Sequence, residues 1–198
     1  KINYMQRKHF IKNSILGSAG VFAAGVTHAA TKGKNDLPES GKPFRLNYGI
    51  HDGMFKHNAG DNFIDQMKFA YDIGFRAIED NGMAGRPVEQ QKAIGDALAK
   101  MGMSMGVFVL DKGGNDENSI ATGKPENLEI FLKGCRQAVE VSKRCNGKLT
   151  TVVPGDFERD LPIGIQTGNV IEALRRGVEI LEPHGIVMVL EPLSDSPN

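Results

Sequence analysis

The feature that most constrains this chain is a regular alternation of short apolar runs and amphipathic helical patterns, which begins near residue 45. Each helical pattern ends at a glycine that lies one to three residues before the next apolar run. These glycines are Gly74, Gly102, Gly147 and Gly185. Such alternation predicts an α/β fold in which helices cross over between parallel strands.

The periodicity predicts five strands and four helices. The strands are expected at residues 46–50, 75–80, 103–110, 149–153 and 186–191. Capping side chains or first-turn prolines mark the starts of the helices, at Asp61, Pro87, Pro125 and Thr167. The third strand is almost wholly apolar, which is typical of a strand buried on both faces of a parallel sheet.

Long loops follow the predicted strands, whereas the links from helices back to strands are short. The long loops are expected at residues 51–60, 81–86, 111–124 and 154–166. Loops at this end of the strands form the ligand-binding face of parallel α/β proteins, in an open sheet or in a barrel. No G-x-G-x-x-G motif follows the first strand, so a dinucleotide-binding sheet is disfavoured. The pattern leaves two folds, a five-stranded open sheet and the first five strands of a (β/α)8 barrel.

Residues 1–29 are predicted to be an export signal. A basic segment at 7–12 precedes a Gly/Ala-rich apolar run, and small residues follow up to Ala29, where cleavage is expected. The basic segment resembles a twin-arginine signal, which implies a periplasmic protein that meets the membrane only during export. Residues 30–44 are predicted to form a polar linker, and residues 45–198 the folded α/β domain.

Charge and cysteine content argue against two classes of protein. Lys and Arg together number 24, as do Asp and Glu. The first 29 residues hold four basic side chains and no acid, so the rest of the chain has a net charge of −4. A nucleic-acid partner is therefore not expected. Cys135 and Cys145 are the two cysteines, and one predicted helix separates them by about 15 Å, too far for a disulfide.

Three polar side chains are predicted to stand at the ligand-facing ends of the strands. Strand side chains alternate between two faces, and the apolar positions of the first, second and fifth strands define the face that meets the helices. The opposite face then carries His51, Glu79 and Glu191 at the ends of those strands. Glu191 follows Val-Met-Val-Leu and is expected to be semi-buried, where a carboxylate needs a partner or a metal ion.

These groups suit proton transfer on a polar substrate. A carboxylate with a tuned pKa takes up and returns a proton, and a carboxylate also ligates hard divalent cations. An imidazole at the same place orients a hydroxyl or a carbonyl group. Together they suit enolisation of an α-hydroxy carbonyl compound, a reaction for which a second carboxylate is needed.

Two segments resemble the xylose-isomerase-like TIM-barrel superfamily. They are Gly-Phe-Arg-Ala-Ile-Glu-Asp-Asn-Gly at 74–82 and Val-Leu-Glu-Pro-Leu at 189–193. The branch of hydroxypyruvate isomerases and ketose 3-epimerases is the most similar, and the order of elements agrees with its first five strands. The resemblance implies that residues 45–198 are an incomplete (β/α)8 TIM barrel, of which this chain supplies about five strands and four helices.

The resemblance also implies roles for the three polar residues. Glu191 matches a catalytic glutamate that also ligates a metal ion, Glu79 matches a glutamate that faces the barrel interior, and His51 lies near a substrate-contacting position. The implied cofactor is a divalent ion such as Mn, Mg, Co or Zn. The remaining metal ligands and the second catalytic glutamate belong to strands six to eight in that family. Ser194 stands where an Asn often follows the Glu-Pro-Leu motif, so the substrate contacts are expected to differ there.

The leading hypothesis is an isomerase or epimerase of the hydroxypyruvate isomerase type. Its substrate would be a small sugar or a hydroxy-keto acid, and these 198 residues alone would be inactive. One alternative is a non-catalytic carbohydrate-binding barrel. Another is a metal-dependent hydrolase of the apurinic endonuclease type, which needs several histidines at the strand ends. Self-association into a homo-oligomer is compatible with each of these functions.

Overall fold

The computed structural model describes residues 41–114 and 118–192. The export signal predicted at 1–29 and residues 30–40 of the predicted linker lie outside the described residues, as does Ser194. Six strands are described, namely β1 Gly49–Ile50, β2 Ala77–Ile78, β3 Ser104–Met105, β4 Val107–Val109, β5 Leu149–Val152 and β6 Val187–Leu190. The described α-helices are α1 Lys56–Ala59, α2 Phe63–Asp72, α3 Val88–Met101, α4 Pro125–Cys145 and α5 Ile163–Leu181.

All described strand pairs are parallel and follow chain order, as predicted. β1 pairs with β2 and β2 with β3, while β4 pairs with β5 and β5 with β6. The predicted third strand is thus two short strands, of which β3 pairs with one neighbour from Ser104 and β4 pairs with the other from Val107. The pairing with β2 begins at Ser104, and the pairing with β5 begins three residues later at Val107, about 10 Å further along the strand. Displacement of this kind is the stagger that a sheet needs in order to close into a barrel.

Gly106 is the joint between β3 and β4. Its backbone N donates to Ile78 O at 2.7 Å, and Asp80 N in turn donates to Val107 O at 3.2 Å. A Cβ at Gly106 would lie 2.9 Å from Ile78 O and 3.1 Å from Cγ of Glu79. Glycine therefore allows the close approach of the two backbones at this point, where the strand changes neighbours.

Three of the predicted helix starts agree with the structure to within two residues. Asn62 caps α2, because its side chain accepts a hydrogen bond from Ile64 N at 2.9 Å. Pro87 directly precedes α3, and Pro125 is the first residue of α4. Local chemistry thus places the first turns of these helices.

The predicted start of the last helix at Thr167 is wrong. α5 begins four residues earlier at Ile163, directly after Pro162. The hydroxyl of Thr167 donates to Ile163 O at 2.9 Å inside the helix and so does not cap it. The preference of threonine for the capping position was outweighed by a proline that is already favourable for a helix start.

The core lies between the strands and the long helices. The strand residues Ile78, Phe108 and Val152 are fully or almost fully buried. Phe131 of α4 is fully buried as well and packs against α5 at Gly177, where a Cβ would lie 2.8 Å from the phenyl ring. Burial of each large side chain contributes roughly 1.5–3 kcal/mol, so the helices are held on the sheet mainly by these contacts.

Both cysteines lie in this core, in α4, and neither forms a disulfide. The prediction that no disulfide joins them is confirmed. Burial raises the pKa of the Cys135 thiol to about 12 and also raises the pKa of Cys145. Both are therefore neutral, apolar parts of the packing at ordinary pH.

The surface formed by α5 and β6 is partly apolar. Ile163 and Ile165 of α5, and Val189 and Leu190 of β6, are exposed.

In the ranges 41–114 and 118–192, no helix has the length and apolar character needed to cross a membrane. Among the described strands β6 pairs with β5 alone, whereas a strand in a closed barrel has two neighbours.

Candidate active site

Two of the predicted site residues are in contact at the carboxyl ends of β1 and β2. Ile50 and Ile78 are paired in register, so His51 and Glu79, which follow them, also lie side by side. The Nε2 atom of His51 is 2.8 Å from Oε2 of Glu79. Their side chains are 45% and 42% exposed. The pair is therefore open to a small polar molecule that approaches the ends of the strands.

This contact defines what the two groups offer to a ligand. Nε2 of His51 faces the Glu79 carboxylate, and the other ring nitrogen, Nδ1, is left to contact a ligand. Oε1 of Glu79 has no hydrogen-bond partner among the described residues, so it is available to accept from a hydroxyl group. An imidazole and a carboxylate arranged in this way orient a substrate that carries adjacent hydroxyl and carbonyl groups.

The residue after Glu79 has a different environment. Asp80 is 4% exposed, and its Oδ2 lies 2.6 Å from Nε of Arg86, while its Oδ1 accepts from Gly82 N at 3.1 Å. Nη2 of Arg86 also lies 2.7 Å from Oδ2 of Asp52. Burial opposes the charge on Arg86, but the hydrogen bonds from its guanidinium to Asp80 and Asp52 outweigh this effect and raise its pKa.

Arg86 thereby joins two loops at the ligand-facing end of the sheet. Asp52 follows His51 in the loop after β1, and Asp80 begins the loop after β2. The guanidinium carbon also lies 5.4 Å from the centre of the Phe63 ring, at the start of α2. Arg86 could not be predicted from the sequence, because its spacing from the two acids contains no motif that would reveal the contact.

A cleft of about 270 Å³ lies between the loop after β2 and the loop after β4. Asn81, Gly82, Asp111 and Lys112 are among its lining residues. The side chain of Lys112 is buried, and its Nζ donates to Gly114 O at 2.8 Å. Ligand pockets usually measure roughly 300–1,000 Å³, so this cleft is slightly smaller than a usual ligand pocket. It begins two residues after Glu79 along the chain.

Glu191 lies directly after β6, on the same side of the sheet as the ends of the other strands. Its backbone N donates to Val152 O at 3.0 Å, which continues the pairing of β6 with β5. Its side chain is exposed, so the expectation of a semi-buried carboxylate is wrong. That expectation relied on the apolar residues before it, but Val189 and Leu190 are themselves exposed, because β5 is the one described neighbour of β6.

The predicted metal role of Glu191 depends on companion ligands. Within residues 41–114 and 118–192, no three His, Cys, Asp or Glu side chains come together in the manner of a metal site. The described residues therefore do not by themselves fit a complete site for a divalent ion, whose usual coordination takes several carboxylate or imidazole ligands. The metal role of Glu191 stays a prediction.

Several solved structures have the same fold. A family 2 AP endonuclease from Brucella melitensis matches with a TM-score of 0.54 and 16% identity, over 75% of this chain and 56% of that one. A D-tagatose 3-epimerase-like protein matches with a TM-score of 0.57 and 15% identity, over 76% of this chain and 54% of that one. The 3-keto-D-glucoside 4-epimerase from E. coli matches with a TM-score of 0.55 and 20% identity, over 75% of this chain and 57% of that one.

These similarities establish the fold. The described strands and helices have the α/β architecture of the TIM-barrel isomerases and epimerases, so the predicted fold class is confirmed. The chain spans a little over half the length of the three solved structures named above. No protein-family model matches the chain, and no curated protein matches it in sequence.

Proposed function

We propose that this protein is a sugar isomerase or epimerase, and that its substrate is a small sugar or a hydroxy-keto acid of the hydroxypyruvate type. The observation that carries the proposal is the half-exposed His51–Glu79 pair at the carboxyl ends of β1 and β2. Active sites of TIM barrels lie at this end of the strands. The fold is shared with solved structures described as epimerases.

In the proposed reaction, the pair binds and orients the substrate. Oε1 of Glu79 accepts a hydrogen bond from a substrate hydroxyl, and His51 holds the carboxylate in place through Nε2. Because both side chains are half-exposed before binding, a ligand that covers them would strengthen these contacts by excluding water.

Glu191 is proposed to transfer the proton. Its carboxylate removes a proton from the carbon next to the carbonyl group, and the electrons of that C–H bond form the double bond of an enediol as the carbonyl oxygen takes up a proton from water. Protonation of the former carbonyl carbon, with loss to water of the proton on the other enediol oxygen, completes an isomerisation. Protonation of the first carbon on its opposite face, with loss of the proton that the carbonyl oxygen had taken up, completes an epimerisation. We assign no second carboxylate within the described residues.

The charge of the chain favours a small molecule over a nucleic acid as the substrate. After residue 29 the net charge is −4, whereas proteins that bind nucleic acids neutralise phosphates with clustered Lys and Arg. This consideration ranks the sugar enzyme above an endonuclease, although one of the similar structures is an AP endonuclease.

Exchange of substrate hydrogen with solvent tests the proposal. The full-length protein is incubated in D₂O with hydroxypyruvate or with D-fructose, and NMR follows the loss of the proton on the carbon next to the carbonyl group. We expect exchange with the wild-type protein. The substitution Glu191→Gln should lower the exchange rate by roughly 10²–10⁴-fold, which is the usual contribution of general acid–base catalysis.

Glu182→Gln is the matched control. Glu182 is exposed and lies before β6, at the opposite end of the strand from Glu191, so its substitution should leave the exchange rate unchanged. Full activity of Glu191→Gln would contradict the proposal. Binding of the sugar without any exchange by the wild-type protein would instead identify a non-catalytic carbohydrate-binding barrel.

A further inference from the structure

The loop that carries His51 is held in place by a buried glutamine. Gln66 is the fourth residue of α2 and is 1% exposed. Its Oε1 accepts hydrogen bonds from Gly53 N at 3.0 Å and from Phe55 N at 3.2 Å, and its Nε2 donates to Gly60 O at 3.1 Å. All three bonds go to the loop at 51–60, so one side chain ties two parts of that loop to α2.

His51 belongs to the same hydrogen-bonded unit. Its carbonyl oxygen accepts from Met54 N at 3.2 Å, which closes a turn around Gly53. Gly53 has a φ of 87°, in the left-handed region that favours glycine. The bond from Gly53 N to Gln66 therefore fixes the turn just two residues after the imidazole ring.

The same arrangement recurs at two other helices. Gln91 is the fourth residue of α3 and Gln166 the fourth residue of α5, and each is 3% exposed. Gln91 donates to Arg86 O at 2.9 Å. Gln166 accepts from Glu158 N at 2.9 Å and donates to Leu161 O at 2.6 Å. Each glutamine thus bonds to the backbone of the loop that leads into its own helix.

A primary amide suits this position because it both donates and accepts a hydrogen bond and carries no charge. Asn127, near the start of α4, follows the same pattern and donates to Ser119 O at 3.0 Å. The buried amides therefore join the loops that follow the strands to the starts of the next helices.

We propose that Gln66 is a positioning residue of the active site, which holds the loop at 51–60 so that the His51 ring stays against Glu79. This role rests on the proposed function, since the contact matters for catalysis if the pair binds the substrate. Gln66 acts through the turn around Gly53. Gln166 holds the loop after β5, which carries none of the three predicted site residues.

The substitution Gln66→Met in the full-length protein tests this proposal. Methionine has a similar size but forms none of the three hydrogen bonds. We expect the amide hydrogens of Gly53 and Phe55 to exchange with solvent faster, on the order of tenfold. We also expect the ¹⁵N resonance of His51 Nε2 to move to the position that it takes in a Glu79→Gln variant, in which the ion-pairing carboxylate is absent.

Gln166→Met is the matched control, because it makes the same change in a loop without a predicted site residue. It should speed hydrogen exchange at Glu158 and leave the His51 resonance unchanged. A folded Gln66→Met variant with a wild-type His51 resonance would overturn the proposal. An equal shift of that resonance in the two methionine variants would overturn it as well, because the effect would then be general.

Gln66→Glu keeps the proposal testable if Gln66→Met does not fold. A glutamate side chain still accepts from Gly53 N and Phe55 N, and its protonated form also donates to Gly60 O. We expect this conservative variant to keep the wild-type His51 resonance. A resonance displaced as far as in Glu79→Gln would count against the positioning role.

The resonance reports on the contact itself, so it separates this inference from the proposed function. If the wild-type protein exchanges no substrate hydrogen, the proposed function fails, while the resonances still decide whether Gln66 positions His51. If the wild-type protein is active, Gln66→Met should lower the rate of substrate hydrogen exchange and also break the contact between His51 and Glu79. Gln166→Met should do neither. An unchanged rate in Gln66→Met would contradict the role in positioning.

Discussion

Glu79 and Asp80 are adjacent in the chain, yet one lies in an exposed region of the molecule and the other in a buried region. Glu79 points to the open ends of the strands, where it meets His51 and is half-exposed. Asp80 lies at the same end of the strands but is almost fully buried against Arg86, which also pairs with Asp52. Two adjacent residues after β2 therefore hold one solvent-exposed carboxylate and one buried carboxylate.

The two regions differ in what their ion pairs contribute. An exposed pair contributes little to the free energy of unfolding, because water solvates both partners. Removal of one partner from a buried pair is costly, because it leaves a charge without compensation. We infer that the buried Asp80–Arg86 pair contributes to stability, while the exposed His51–Glu79 pair is free to serve binding.

The largest effect is expected from Arg86→Met. This change leaves the buried carboxylate of Asp80 without its cation, and we expect the free energy of unfolding to fall by about 3 kcal/mol. Urea unfolding followed by circular dichroism measures the change.

Arg136→Met is the matched control for that experiment. Arg136 and Glu129 form an ion pair in which the two side chains are more than half exposed. This variant should lose less than about 1 kcal/mol. Equal losses in the two variants would remove the distinction between exposed and buried pairs.

An intermediate effect is expected from raising the pH. Burial raises the pKa of Cys135 from its ordinary value of 9.0 to about 12, so the unfolded chain releases this proton at a lower pH than the folded protein does. The stability from the neutral thiol is complete below pH 9 and is lost as the pH rises toward 12. From pH 8 to pH 10 the loss from this thiol is about 1.4 kcal/mol.

The difference between the wild-type protein and Cys135→Ala isolates this contribution, because other groups also titrate in that range. Urea unfolding at pH 8 and pH 10 should show a steeper loss of stability for the wild-type protein. Parallel losses in the two proteins would mean that Cys135 ionises as easily in the folded state as in the unfolded chain.

The smallest effect on stability is expected from Glu79→Gln. Its partner is half-exposed, so the free energy of unfolding should change by less than about 1 kcal/mol. Binding of a sugar substrate to the same variant should weaken by about tenfold, which corresponds to one lost hydrogen bond to a charged group. Isothermal titration calorimetry and urea unfolding together measure this contrast. A large loss of stability would place Glu79 with Asp80 as a structural residue.

The sequence pattern predicted the parts of the fold that depend on local chemistry. Glycines after the helices and apolar runs between them were enough to predict parallel strands with crossover helices, and the order of the strands followed from the family resemblance. Alternation along the strands predicted that His51 and Glu79 share a face, and the structure brings them into contact. The catalytic and binding roles of these residues and of Glu191 stay predictions.

The features that the sequence pattern did not predict depend on contacts between segments that are distant in the chain. The predicted third strand is interrupted at Gly106 because its first part pairs with β2 and its second part pairs with β5. A run of apolar residues does not show where such a change of partner occurs. Arg86 and the buried amides Gln66 and Gln166 look like ordinary surface residues in the sequence. They are buried because the loops pack against the starts of the helices, and a local sequence pattern does not predict such packing.

The parallel topology has a consequence for folding kinetics. Each described strand pairing joins segments separated by 27–42 residues. The entropy lost on closing a loop rises by about 0.6 kcal/mol for each doubling of its length, so all four pairings cost nearly the same to form. The order in which the strands join is therefore set by the apolar surface that each helix–strand unit buries, rather than by the length of chain between them.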